Sequence, residues 1–274
     1  MSTILVVANE TLGGAKLIEA ISQKAGPDDR VVVCVPRNRP REGYVIYDDA
    51  VFDAAQVRID LARQFLRERG LTAVGDVVDP DPYTAAMDAV AEWRPDEIIV
   101  STYPATSSGW MRRDIIERIS EATGLPVTHV VNDVDAEGLP FDTTLVVANR
   151  TASGDELMER LRSKKGQGER ERLFIVCVPQ EGGGGTAAQA ARGRLGQVLD
   201  RLRADGIVCA GMIGDPDPYT ATMNALQFFR VDDIVISTLP ATRSGWMRAD
   251  LIERVRRATN KPVEHVEAHS PVEA

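Results

Sequence analysis

Two stretches of this chain carry the residue types that anion chemistry needs, and they are nearly the same stretch. Ser101–Arg113 reads S-T-Y-P-A-T-S-S-G-W-M-R-R, and Ser237–Ala249 reads S-T-L-P-A-T-R-S-G-W-M-R-A. Hydroxyls at Ser101, Thr102 and Ser108, and again at Ser237, Thr238 and Ser244, precede a guanidinium at Arg112 or Arg248. Such donors suit a phosphate or a carboxylate. Each stretch lies between an apolar run and a helical pattern (Ile115, Ile119, Ala122; Leu251, Val255, Ala258), so each is a loop leaving a strand and entering a helix. Ser108 and Ser244 fit the N-cap of that helix, whose free N–H groups add to an anion site. Asn9 and Thr11, and their equivalents Asn149 and Thr151, follow the first strand of each half and complete the set. Plainer roles exist for the same residues: Ser caps any helix, Trp110 and Trp246 pack over a sheet end, and Arg112 pairs with Asp114 or Glu117 for about 0–1 kcal/mol.

Catalytic and metal chemistry find less support. The histidines His129, His265 and His269 form no H-x3-H or H-E-x-x-H spacing, and Cys34, Cys177 and Cys209 sit singly in apolar runs, as buried thiols do. No nucleophile, base and acid recur together near the loop, and the acids of Asp79-Pro80-Asp81-Pro82 read as helix caps. Neither a metal nor an enzyme activity is expected.

The elements that must position the loop alternate strictly. Ile4–Ala8 is a strand, followed by a helix to about Lys24, a strand at Arg30–Pro36, and a helix over Asp48–Arg69 with Val57, Leu61 and Phe65 on one face. Thr72–Val78 is the third strand; Asp81 caps a third helix with Pro82 in its first turn and Tyr83, Met87 and Val90 facing the core. A fourth strand at Glu97–Ser101, a helix to about Thr123 and a strand at Pro126–Val131 complete the set. Alternation of this kind specifies a parallel sheet with helices on both faces. The plan then repeats: about 33 of the 56 positions from Gly75 to Val130 are identical in Gly211–Val266. Two α/β domains follow, 1–132 and 143–274, joined by the acidic, Gly- and Pro-containing segment 133–142. In a strand order 3-2-1-4-5 the crevice opens between the first and fourth strands, with Asn9 facing Ser101-Thr102 and Asn149 facing Ser237-Thr238.

Composition narrows the partners. A net charge of −9 over 274 residues disfavours nucleic acid and anionic lipid. No apolar run approaches the roughly 18 residues a membrane span needs, and the opening Met1-Ser2-Thr3 leads directly into a strand, so a cytoplasmic protein is expected.

The polar turn after Ile4–Ala8, the G-D-x-x-D-P-D-P-Y stretch entering the third helix, and the D-E-I-I-V-S-T-Y-P to L-P-V-T-H-V-V ending resemble the universal stress protein family over nearly the whole chain, as a tandem pair. The resemblance implies strand order 3-2-1-4-5, an adenine-nucleotide alpha-hydrolase-like fold, and pairing through fifth strands, so that the two domains form an intramolecular pseudo-dimer with His129 and His265 near its axis; further homo-oligomers are compatible. It also implies ATP or another adenine nucleotide in the crevice, held by an acidic residue after the first strand and a G-x2-G-x9-G-[ST] loop. Here Asn9 and Asn149 replace the acid, no glycine lies between Val100 and Gly109 or between Ile236 and Gly245, and Arg113-Asp114 and Ala249-Asp250 stand where the last Gly and hydroxyl fall. Arg112 and Arg248 compensate in part for the lost backbone approach. The expectation is a non-enzymatic stress-response protein binding a nucleotide or other small anion, with a ligand-free interaction scaffold as the alternative and a nucleotide hydrolase behind both.

Overall fold

Burial of continuous Val- and Ile-rich runs organises the chain. The computed structural model describes residues 1–37, 48–104, 114–182, 184–240, 245–248 and 250–268. The chain divides into two compact units: Met1–Arg39 with Arg58–Pro140, and Pro40–Val57 with Phe141–Ala274.

In the first unit the strands are β1 (Thr3–Val7), β2 (Arg30–Pro36), β3 (Thr72–Val78), β4 (Glu97–Thr102) and β5 (Val127–Val131), and the helices α1 (Ala15–Lys24), α2 (Asp48–Glu68, assigned to this unit from Arg58 onward), α3 (Pro82–Trp93), α4 (Ile115–Thr123) and the short α5 (Val134–Glu137). All strand pairs are parallel, in the order β3-β2-β1-β4-β5. β1, β2 and β4 are buried along almost their whole length, as strands covered on both faces must be. One face packs Leu5, Val7, Val32, Ile98 and Val100 against Ala85, Ala86 and Ala89 of α3 and Ile115 and Ile119 of α4.

The second unit repeats the plan with β6 (Asp142–Val147), α6 (Asp155–Lys165), β7 (Arg172–Pro179), α7 (Gly185–Ala204), β8 (Cys209–Gly214), α8 (Pro218–Phe228), β9 (Asp233–Thr238), the short α9 (Gly245–Arg248), α10 (Leu251–Ala258) and β10 (Val263–Glu267). Its order, β10-β9-β6-β7-β8, is the same topology read from the other edge. Both units are therefore doubly wound α/β sheets of order 3-2-1-4-5, as the sequence predicts.

Local chemistry fixes several joints. Asp81 accepts from Thr84 N–H at 3.0 Å, and Asp217 accepts from Thr220 N–H at 2.9 Å, so both D-P-D-P segments cap their helices. Arg118 lies 3.9 Å over the Tyr83 ring and Arg254 4.2 Å over Tyr219, tying the helix after the fourth strand of each unit to the helix before it. A Cβ on Gly75 would meet Val33 O at 2.7 Å, so the third strand must carry glycine where it lies against the second.

Three details differ from the sequence reading. The fully buried face of α3 is made by Pro82, Ala85, Ala86 and Ala89, small residues that let the helix approach the sheet closely, while Tyr83 and Val90 pack against the core from half-buried positions and Met87 is half-buried. Ala122 and Ala258 are exposed, because the helices end within a turn of Ile119 and Val255. The segment after β5 holds the helix α5, capped by Asp133, instead of plain linker.

Candidate functional site

The parallel register delivers the first predicted residues together. Val7 pairs with Val100 in β1 and β4, so Asn9 and Thr102 leave the sheet side by side; Val147 pairs with Ile236, which does the same for Asn149 and Thr238. Here the crossovers change faces, the point where such sheets open. The turn after the first strand is alike in both units: Leu12 N–H donates to Asn9 O and Gly14 N–H to Thr11 O, as Ala152 does to Asn149 O and Gly154 to Thr151 O.

In the first unit the hydroxyls of the corner are bonded, while Asn9 Oδ1 and Asn132 Oδ1 have no hydrogen-bond partner. Thr11 donates to Ser101 O at 3.2 Å, Ser101 Oγ donates to Thr11 Oγ1 at 2.9 Å, and Asn132 Nδ2 donates to Ser101 Oγ at 2.9 Å. Asn9 Nδ2 donates to Pro36 O at 2.7 Å. All four side chains are buried. Asn132 lies against Gly14, where a Cβ would stand 2.5 Å from the asparagine Cγ.

The second unit keeps the geometry and changes the chemistry. Ala268 N–H donates to Thr238 O at 2.9 Å, as Asn132 N–H does to Thr102 O, so Ala268 occupies the place of Asn132. There the carboxamide is missing, and Ser237 Oγ and Thr151 Oγ1, on residues 1% and 2% exposed, have no hydrogen-bond partner. Asn149 Nδ2 reaches toward Glu181 Oε1 at 3.5 Å, and its Oδ1 is unpartnered.

Beside Asn149 lies a charged cluster that the sequence reading did not single out. Arg150 binds Glu181 through Nε at 2.5 Å and Nη2 at 3.2 Å, and Arg194 Nη2 stands 3.7 Å from Glu181 Oε2. The Arg150 guanidinium holds the Glu181 carboxyl below its ordinary range. Arg194 precedes Leu195, which packs where Gly211 has no side chain; Arg58 precedes Ile59, which does so at Gly75. The two arginines are thus equivalents. Arg58 interacts with Glu10 and Tyr103, and burial lowers its pKa. An Arg on a long, half-polar helix looks solvated in sequence; only its recurrence one residue before the same packing contact marks it.

His129 and His265 do lie on the edge strands β5 and β10, yet each reaches the crevice residue on the neighbouring strand: Nε2 is 2.9 Å from Thr102 Oγ1 and 2.8 Å from Thr238 Oγ1. Since each threonine hydroxyl donates to the carbonyl of the next residue, the ring fits as the Nε2–H donor. Burial lowers both imidazole pKa values.

Ser108, Arg112 and Ser244 lie outside the described residues, and the side chain of Arg248 does too, although α9 includes its backbone. Helices α4 and α10 start directly after Asp114 and Asp250, whose left-handed φ values of 46° and 55° break the helical path, and neither side chain caps. Among the described residues no group of three or more His, Cys, Asp or Glu converges as metal ligands, and no helix is long and apolar enough to cross a membrane.

No protein-family model and no curated protein matches the chain. Among solved structures it is similar to a universal stress protein from Archaeoglobus fulgidus DSM 4304, with 18% identity, 97% of each chain covered and a TM-score of 0.35. A Pseudomonas aeruginosa UCBPP-PA14 structure assigned to the same protein class has 16% identity over 98% of this chain and 94% of its own, with a TM-score of 0.33. The precorrin-6A reductase CobK has 10% identity, covers 100% and 91%, and has a TM-score of 0.26. The strand order and crossovers define the fold independently of these similarities.

Proposed function

We propose that this chain is a non-enzymatic binding protein of universal stress protein type, which takes a nucleotide or another small anionic ligand at the switch point of its sheet. The observation that carries this reading is the recurrence, in both units, of an Asn, two Thr and a Ser, all buried, where the first and fourth strands leave the sheet. Hydrophobic sheet ends need no such set, and each buried polar group has to be satisfied. Calorimetry with ATP tests the reading, on the wild type and on Arg112→Ala/Arg248→Ala. Micromolar binding weakened by the double substitution, with the ATP left unhydrolysed, supports it. No heat and no melting shift with ATP, inorganic phosphate or ribose 5-phosphate would refute it.

A ligand-free scaffold is the second reading. The first unit favours it locally, because the Thr11 and Ser101 hydroxyls already donate within the corner and Ser101 Oγ also accepts from Asn132.

A further inference from the structure

We infer that the two crevices are unequal and that the second alone takes the ligand, one molecule per chain, recognising an anionic group together with hydroxyl groups, as in a phosphorylated sugar, free or within a nucleotide. The inference rests on the crevice-binding reading above and specifies which copy performs it. Three differences between otherwise equivalent corners carry it.

The first is the exchange of Asn132 for Ala268. In the first unit a carboxamide of the chain itself fills the corner and donates to Ser101 Oγ. In the second, Ser237 Oγ and Thr151 Oγ1 lack partners, on residues 1% and 2% exposed, whereas their equivalents Ser101 and Thr11 are bonded to each other; the asparagine Oδ1 is unpartnered in both copies, at Asn9 and at Asn149. Buried hydroxyls and amide oxygens without partners are costly, and a ligand bearing hydroxyl groups supplies both the donors and the acceptors they lack.

The second is the arginine of the long helix. Arg58 is engaged with Glu10 and Tyr103. Arg194 is mostly buried, yet its Nε and Nη2 have no hydrogen-bond partner, Glu181 standing 3.7 Å from Nη2. Those two N–H groups form the edge that grips a phosphate or carboxylate in bidentate fashion.

The third is charge. The residue after the crevice asparagine is Glu10 in the first copy and Arg150 in the second; Arg150 is paired with Glu181, and with Arg194 beside them two guanidiniums stand to one carboxylate at the second crevice.

Titration calorimetry on the full chain with ATP, and in parallel arms with ribose 5-phosphate and inorganic phosphate, tests the inference. One equivalent is expected to bind per chain. Ala268→Asn, which places the first unit's carboxamide in the second, should weaken binding at least about tenfold, as should Thr151→Val, which keeps the shape and removes one hydroxyl. Asn132→Ala should leave affinity and stoichiometry unchanged; a melting curve for each variant establishes that it is folded. Ribose 5-phosphate binding with the same response assigns recognition to the sugar phosphate, and ATP binding alone assigns it to the nucleotide. Two equivalents in the wild type, or binding untouched by both Ala268→Asn and Thr151→Val, would overturn the inequality while leaving the crevice reading standing. Absence of binding in every arm overturns both.

Discussion

Asn132 Nδ2 donates to Ser101 Oγ across 2.9 Å, and the second copy of this corner has Ala268 in place of the asparagine. Removing the amide in Asn132→Ala withdraws a buried partner from Ser101 and should cost about 1–3 kcal/mol. The reverse exchange, Ala268→Asn, has room: Gly154 stands where Gly14 receives Asn132, and a Cβ there would find Ala268 Cβ only at 3.9 Å. Since the new amide can reach Ser237, this variant should melt at or above the wild-type temperature. Thermal unfolding of the pair checks both signs, and equal destabilisation by the two would contradict them.

Gly211 in β8 marks the tightest approach within the second sheet. An added Cβ would run into Val176 O and meet Leu195 Cδ1 at 2.6 Å. The carbonyl belongs to the β7 ladder and cannot yield as a side chain does. Gly211→Ala should therefore destabilise by about 1–3 kcal/mol or more, read as a fall in the urea midpoint. Gly185→Ala, at a position open around its would-be Cβ, serves as the control.

Arg172 organises the opposite end of the second sheet. Its Nη1 donates to Asp233 at 2.7 Å and Thr144 at 2.9 Å, its Nη2 to Asp142 at 3.0 Å, and Lys164 reaches Asp233 at 3.3 Å. Arg172, Lys164 and both aspartates are between 10% and 14% exposed. Taking out the central cation leaves Asp233 with Lys164 and Asp142 with the exposed Arg170, and breaking a buried pair costs about 3–5 kcal/mol. Arg172→Met should show a loss of that size in chemical denaturation. A near-neutral result would mean that Lys164 and Arg170, which is 2.7 Å from Asp142, suffice.

The sheets are readable in the sequence because each central strand is a continuous apolar run with a polar turn at its end, and because the duplicated D-P-D-P segment announces a helix start twice. Asn9, Thr11, Ser101 and Thr102 are readable for the same reason: they are the first polar residues after such runs. What stays hidden depends on distance in the chain. Thr102 and His129 are 27 residues apart and meet only because β4 and β5 are parallel neighbours in a fixed register. Ala268 differs from Asn132 by one side chain that means nothing until Ser237 and Thr151 are seen without partners. Asp114 and Asp250 read as helix residues, yet both adopt left-handed backbone, a conformation their type tolerates but does not announce.

Cys34, Cys177 and Cys209 are all buried, and burial pushes each thiol pKa up to about 12. A thiolate is the reactive form, so all three should resist a disulfide reagent in the native protein at pH 8. Addition of denaturant should release three equivalents per chain. Rapid labelling of any one in the folded state would show that its sheet opens locally.

His129 and His265 make the acid side of the stability curve informative. Burial holds both below the ordinary value of 6.5; at His265 the carboxylate of Glu267 opposes this and the Arg256 charge adds to it. A depressed folded pKa means that, as pH falls through 6.5, the unfolded chain takes up protons before the folded one does. Stability from these groups is therefore complete above about pH 6.5 and is lost as pH falls toward the folded values. The melting temperature should decline between pH 6.5 and 5, above the range where ordinary carboxylates titrate. Glutamine keeps an N–H donor for Thr102 and Thr238 but has no titration, so His129→Gln/His265→Gln should flatten that decline. If the double variant retained the full slope, the threonine-bound imidazoles would not be its source.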